Sequence, residues 1–149
     1  MDLRMLKLSK KVEYAILAVQ HIAKNQGKLI SAKELADDLK IDFEFLAKTL
    51  QSLKNRDLIV SKKGKGGGYE LAKTPESTTI SDIINAVENK ERIQLVDCME
   101  AAGISCERSK ECTLRLPFLN MQNKIQNVFD STTIAELMEF PTLGDIKMK

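Results

Sequence analysis

The sequence has no tryptophan, and only two tyrosines and five phenylalanines among 149 residues. A core with so few large rings must rest on Leu, Ile, Val and Ala, which favours helices. Histidine occurs once, at His21, within a segment of helical apolar spacing. A Ser-His-Asp triad would have to use that single imidazole, and no nucleophile elbow lies near it, so an enzyme is not expected. Long hydrophobic runs are also missing. The apolar stretch YAILAV at 14–19 falls far short of the ~20 residues that cross a bilayer. A basic start before that stretch faintly resembles a secretory leader, but Glu13 interrupts it and no small-residue cleavage site follows. A cytoplasmic protein with no membrane contact is therefore expected. Cysteine is scarce too. Three is an odd count, which argues against a disulfide framework and leaves metal or redox chemistry open.

A net charge of +2 conceals a segregation. Residues 1–75 carry 15 Lys and Arg against 9 Asp and Glu, whereas residues 76–149 carry 8 against 12. A basic first half suits a polyanionic partner, though chance segregation of surface charge would look the same.

Apolar spacing at Val12, Ala15, Ile16, Val19, Ile22 and Ala23 predicts a helix over 9–26, closed by Gly27. Ser31 and Glu34 form a capping-box pattern opening a second helix at 31–40. Asp42 can cap a third, FEFLAKTLQSLKNRD, with Phe43, Leu46, Leu50 and Leu53 as its buried face. Two short helices joined by a tight turn, the second longer and more basic, describe a helix-turn-helix. Strand-like Leu58–Ser61 and Tyr69–Ala72 then flank the glycine-rich tip KKGKGGG, which reads as the wing of a winged helix. The run does not suit a nucleotide-binding P-loop, because it ends in Tyr69 and leads into a strand. A short helix capped near Thr79 follows. Leu114, Phe118, Met121, Ile125 and Val128 are then spaced 4, 3, 4, 3, the seam of a long dimerisation helix, in which Pro117 fits only the first turn. Thr133 and Glu136 cap a last short helix.

The expected fold is therefore mainly α with a small β-hairpin. Residues 1–75 form a winged helix-turn-helix, 76–140 carry a cysteine loop and the dimerisation helix, and 141–149 form a flexible tail. Recognition helices present their N-terminal residues to base edges. The candidates for DNA contact are Asp42, Glu44, Phe45, Lys48 and Thr49, together with the wing lysines Lys62, Lys63 and Lys65. Lys54 and Arg56, later on the helix, would lie nearer phosphate. A two-fold homodimer would match a palindromic operator in double-stranded DNA.

All the sulfur of cysteine lies in CMEAAGISCERSKEC, with Cys98, Cys106 and Cys112 in a C-x7-C-x5-C spacing. Zinc sites bring closer pairs and a fourth ligand, and ferredoxin runs have tighter spacing. Three thiols in a polar, glycine-containing segment are unlike buried free cysteines, and a loop with wide gaps can wrap three thiolates around one face of a cluster.

The whole chain from about Lys7 to Phe140 resembles the Rrf2 family of bacterial winged-helix regulators. The matching features are KLSKKVEYAI, IDFEFLAKTLQSLKNRDLI, KKGKGGGYEL, ISDIINAVE, the three cysteines and TTIAELM, in that order. The resemblance implies a homodimer with crossed long helices and one iron–sulfur cluster per subunit, whose state sets DNA affinity. Cys98, Cys106 and Cys112 match the cluster thiolates. Arg115 stands where IscR-like members place a histidine ligand, which disfavours their 2Fe–2S site and favours 4Fe–4S. Glu13 aligns with a carboxylate that NsrR-like members supply to the metal from the partner subunit. The function implied is a transcriptional repressor sensing nitric oxide, iron or redox state. The alternative is a cluster-free regulator that senses thiol redox state or a metabolite, with the same cysteines forming disulfides or binding zinc.

Overall fold

The computed structural model describes residues 7–90, 92–96, 106–108 and 110–146. Helix α1 spans Lys10–Lys24, α2 Ala32–Leu39 and α3 Phe43–Asn55. Strands β1 (Ile59–Lys62) and β2 (Gly68–Leu71) form the hairpin. Helix α4 covers Ile80–Glu88, α5 Arg115–Ser131 and α6 Ile134–Met138. The fold is mainly helical with one small hairpin, as the sequence predicts.

Local chemistry sets the boundaries. Ser9 caps α1 by accepting from the Val12 amide at 3.2 Å. The helix stops at Lys24, short of the predicted 26, because Asn25 leaves helical geometry and its side-chain amide donates to the His21 carbonyl at 2.9 Å. Gly27 then takes a positive φ of 86°. Ser31 and Glu34 close the predicted capping box at the start of α2. Lys40 adopts a left-handed conformation that lets the Ile41 amide reach back to the Ala36 carbonyl at 3.0 Å. Asp42 then caps α3 through the Phe45 amide at 2.9 Å. This three-residue turn packs α3 against α2.

The strands sit one residue later at β1 and begin one residue earlier at β2 than the sequence suggests, with Ile59 opposite Leu71 and Lys62 opposite Gly68. A third strand-like contact flanks them. The Ile30 and Tyr69 backbones exchange hydrogen bonds of 3.2 and 2.8 Å. Gly68 must be glycine for this approach, since a Cβ there would stand 2.5 Å from the Ile30 carbonyl carbon.

The core joins α1, α2, α3 and β1 to α4 and α6. Val19, Leu35, Leu46, Leu50, Leu53, Ile59, Ile83 and Ile134 are fully enclosed, each contributing roughly 1.5–3 kcal/mol by leaving water. Phe43, expected in this core, is 51% exposed. It is the first residue of α3, at the end of the helix beyond the last enclosed turn. Thr49, further along the same helix, is instead buried, at 1% exposure. The Thr49 hydroxyl donates to the Phe45 carbonyl at 3.0 Å, and that bond makes its burial tolerable.

Pro117 sits in the first turn of α5, where its missing N–H leaves no gap. At the other end, α5 is tied to α4 and α6. The Ile80 amide donates to the Thr132 carbonyl and the Ile134 amide to the Thr78 carbonyl, closing a bridge between Thr79 and Thr133. Beyond α6, residues 141–146 are exposed and hold only one short turn, Leu143–Asp145.

Candidate nucleic-acid interface and cysteine segment

Leu46, Leu50 and Leu53 turn one side of α3 inward, so Glu44, Lys48, Gln51 and Asn55 share the opposite, exposed side. Glu44 and Lys48 thus stand where a reading face would need them. Thr49 does not: its side chain is 1% exposed and its hydroxyl is bonded to the Phe45 carbonyl, which removes it from the candidate contacts. Asp42 is exposed but commits one carboxylate oxygen to its cap. The Phe45 ring meets the Tyr14 ring edge-on, with centroids 5.4 Å apart and an 85° angle, so it fastens α3 to α1. Gln51 was not singled out from sequence, although the 4, 3 spacing from Glu44 through Lys48 contains it. An amide is the side chain that pairs with adenine. Arg56 is directed away from the phosphate role expected of it, because its guanidinium donates to Asn89 Oδ1 at the end of α4.

The hairpin tip offers further basic groups. Gly64 and Gly66 have φ of 101° and 78°, which the tight tip requires. Lys63 and Lys65 are exposed at that tip. Lys62 is exposed as well, but its ammonium lies 3.0 Å from Glu70 on the opposite strand.

Cys106 and Cys112 are free thiols, each half-buried. Cys98 lies outside the described residues. Among the described residues, no group of three His, Cys, Asp or Glu side chains is gathered closely enough to hold a metal ion. Glu13, on α1, bonds Lys10 at 2.8 Å, and the Lys10 hydrogen bond holds its carboxyl below the ordinary range. His21 bonds Asp38 at 3.1 Å and so joins α1 to α2, a structural role. Thiolates are the usual protein ligands of iron–sulfur clusters, so the donor chemistry of Cys106 and Cys112 fits such a group.

The chain leading into the cysteine segment is strapped onto α5. The Ile93 amide donates to Gln126 Oε1 at 2.8 Å, and the Leu95 amide donates to Gln122 Oε1 at 2.9 Å. Sequence reading passed over both glutamines, although their spacing of four places them on one face. Beneath the strap lies a cleft of about 540 Å³, lined by Val12, Ile84, Glu88, Arg92, Ile125 and Phe129 among others. The predicted seam of α5 divides. Phe118 and Ile125 are half-buried, whereas Leu114, Met121 and Val128 form an exposed apolar line one heptad apart.

Residues 8–140 match the family model of Rrf2, described as an iron-dependent transcriptional regulator. The chain belongs to the Rrf2 family. It is 32% identical over 114 residues to the transcriptional regulator IscR of Cereibacter sphaeroides, covering 74% of each chain. It is 27% identical over 135 residues to the regulator NsrR of Geobacillus kaustophilus, covering 90% of each. Its structure is similar to that of CymR, the global cysteine regulator of B. subtilis, with a TM-score of 0.72 and 26% identity over 92% of this chain and 99% of that one. This Rrf2-family chain is accordingly a winged-helix transcriptional regulator and not an enzyme, and DNA is the partner its family implies. No helix among its described residues is long and apolar enough to cross a membrane.

Proposed function

We propose that this regulator is a cytoplasmic homodimeric repressor that binds a palindromic operator and holds an iron–sulfur cluster on Cys98, Cys106 and Cys112. The observation that carries the reading is the pairing of two free, half-buried thiols with a strap in the chain leading towards them, which is bonded to α5 and through Gln126 to Ser81 of α4. The exposed side of α3 would enter the major groove with Glu44, Lys48 and Gln51 towards base edges. Lys62, Lys63 and Lys65 would meet phosphate. Leu114, Met121 and Val128 would meet their copies across a two-fold axis, with Phe118 and Ile125 supporting them from beneath.

A bound cluster, 4Fe–4S in preference to 2Fe–2S and one per subunit, would supply an iron reactive towards nitric oxide, oxygen or iron depletion. The three cysteine thiolates would anchor it from one chain. Glu13 of the partner subunit would offer a carboxylate, a harder and weaker donor to such iron than thiolate. To do so it must give up its bond to Lys10, which is exposed and easily exchanged.

Anaerobic purification followed by iron and sulfide analysis tests the reading. Brown protein with both elements, lost on replacing any one cysteine by serine, is the expected result. The likeness to CymR, a cysteine regulator, favours a second reading in which the same thiols act without a cluster. That reading predicts colourless anaerobic protein whose operator affinity changes on thiol oxidation.

A further inference from the structure

Gln122 and Gln126 are the only buried polar side chains of α5 among the described residues, at 7% and 9% exposure. We infer that these two glutamines position the strap at residues 92–96 and transmit the state of the cysteine segment to the DNA-binding helices. The inference rests on the cysteines being the sensor, as proposed above.

The side-chain amide is suited to this place because it accepts at one end and donates at the other. Gln126 accepts from the Ile93 amide, while its own Nε2 donates to Asp130 Oδ1 at 2.8 Å and to Ser81 Oγ at 3.3 Å. Ser81 belongs to α4, and its hydroxyl donates to Asp130 in turn. One side chain thus joins the strap, α5 and α4. A carboxylate at 126 would accept from Ile93 but would face Asp130 with like charge. An apolar residue would leave the Ile93 amide without its partner. Gln122 makes the parallel bond one turn earlier and fixes the register of the strap at Leu95.

Helix α4 is the element that carries a shift onward. It packs on both α1 and α3. Its last residues are bonded to each of them, Glu88 to the Ser9 hydroxyl at the start of α1 and Asn89 to Arg56 at the end of α3. The strap at residues 92–96 follows closely in sequence. A pull on residues 92–96 therefore acts through Gln126 and Ser81 on α4, and through α4 on the helix that reads DNA.

The test uses full-length wild type, the double variant Gln122→Leu/Gln126→Leu, and the single variant Gln126→Glu. Hydrogen exchange of the Ile93 and Leu95 amides reports the clasp itself. DNA affinity is measured for anaerobically purified protein and for the same protein chelated and alkylated with iodoacetamide, using sites selected by wild type from a random pool. The wild type is expected to protect both amides and to show at least about a tenfold affinity difference between the two states, within the usual range of coupling. The double variant is expected to lose that protection and to show less than about a twofold difference, with its alkylated form binding as the wild type's does. Gln126→Glu, which keeps the acceptor but loses the donor, is expected to protect Ile93 partly and to reduce the difference; it alone decides the matter if the double variant fails to fold. A variant that exposes both amides yet keeps the full difference would overturn the inference. So would wild-type amides that exchange freely. Protected amides with equal wild-type affinities in both states would remove the sensing role of the cysteines, and the coupling with it, while leaving the clasp as architecture alone.

Discussion

Replacing Lys63 by alanine isolates the wing's electrostatic contribution from its fold. The Lys63 side chain is exposed at the hairpin tip, whereas Lys62 is paired with Glu70 at 3.0 Å. Each phosphate neutralised contributes a slope of about −0.9 to log K against log salt concentration. Losing one contact in each half of a two-fold dimer should therefore flatten the slope by about 1.8. Between 50 and 200 mM salt, wild-type affinity should fall by about twelvefold more than that of the variant. Fluorescence anisotropy across that range, on a selected site and on unrelated DNA, reads the slope directly. Both DNAs should show the same flattening, because phosphate contacts carry no sequence information. Thermal stability should be unchanged. The Lys62→Ala variant serves as contrast, since it also breaks a largely exposed ion pair worth at most ~1 kcal/mol and leaves the Glu70 carboxylate without that partner. An unaltered slope for Lys63→Ala would refute the placement of the wing tip on the phosphate backbone.

Leu50→Ala should lower unfolding free energy by about 2–5 kcal/mol in chemical denaturation, because the side chain is fully enclosed; a loss under about 1 kcal/mol would mean the core closes over the gap. Met121→Asp combined with Val128→Asp should convert dimer to monomer in sedimentation while preserving helical circular dichroism, since both positions are exposed in the single chain. A persistent dimer would move the interface off this line. The Asp130 carboxyl is held below its ordinary value first by the Ser81 hydroxyl and then by the Gln126 amide. Its stabilisation is complete above the unfolded pKa near ~4 and fades as pH falls through the lower folded value. Asp130→Asn should therefore flatten the loss of stability below about pH 4, and an identical acid limb would refute that assignment.

The fold was legible wherever spacing and caps agreed. Ser31, Asp42, Thr79 and Thr133 each cap the helix the sequence assigned to them, whereas Ser9, read as the first residue of its helix, is the cap before it. Residue type misled where a helix end or a satisfied hydroxyl changed the outcome. Phe43 has the spacing of the buried stripe, yet it is the first residue of α3 and is half exposed. Thr49 looked like a polar contact, but its hydroxyl finds the Phe45 carbonyl and frees the rest of the side chain to be enclosed. The glutamines of α5 were invisible for the converse reason. Their partners are backbone amides of a distant strap, and no sequence pattern announces such a bond. The α5 seam could be counted in heptads, but counting could not show that Phe118 and Ile125 lean on their own chain while Leu114, Met121 and Val128 do not. The candidate metal site stands in the sequence as a thiol set. Of that set Cys106 and Cys112 fall among the described residues and Cys98 does not.

The bridge between Thr79 and Thr133 has a consequence for how this chain tolerates change in length. It pins together both ends of the segment at 80–132, which holds all three cysteines and the long helix. Closing a loop costs entropy only logarithmically in its length. Adding about seven residues to a loop of about fifty raises that cost by only about 0.1 kcal/mol. The gap between Cys98 and Cys106 can therefore lengthen or shorten with little thermodynamic penalty from loop closure. Insertions there would alter the spacing of the sulfurs while leaving the caps, the core and the reading helix where they are. Under the proposed reading, the fold would separate the evolution of what is sensed from the evolution of what is read.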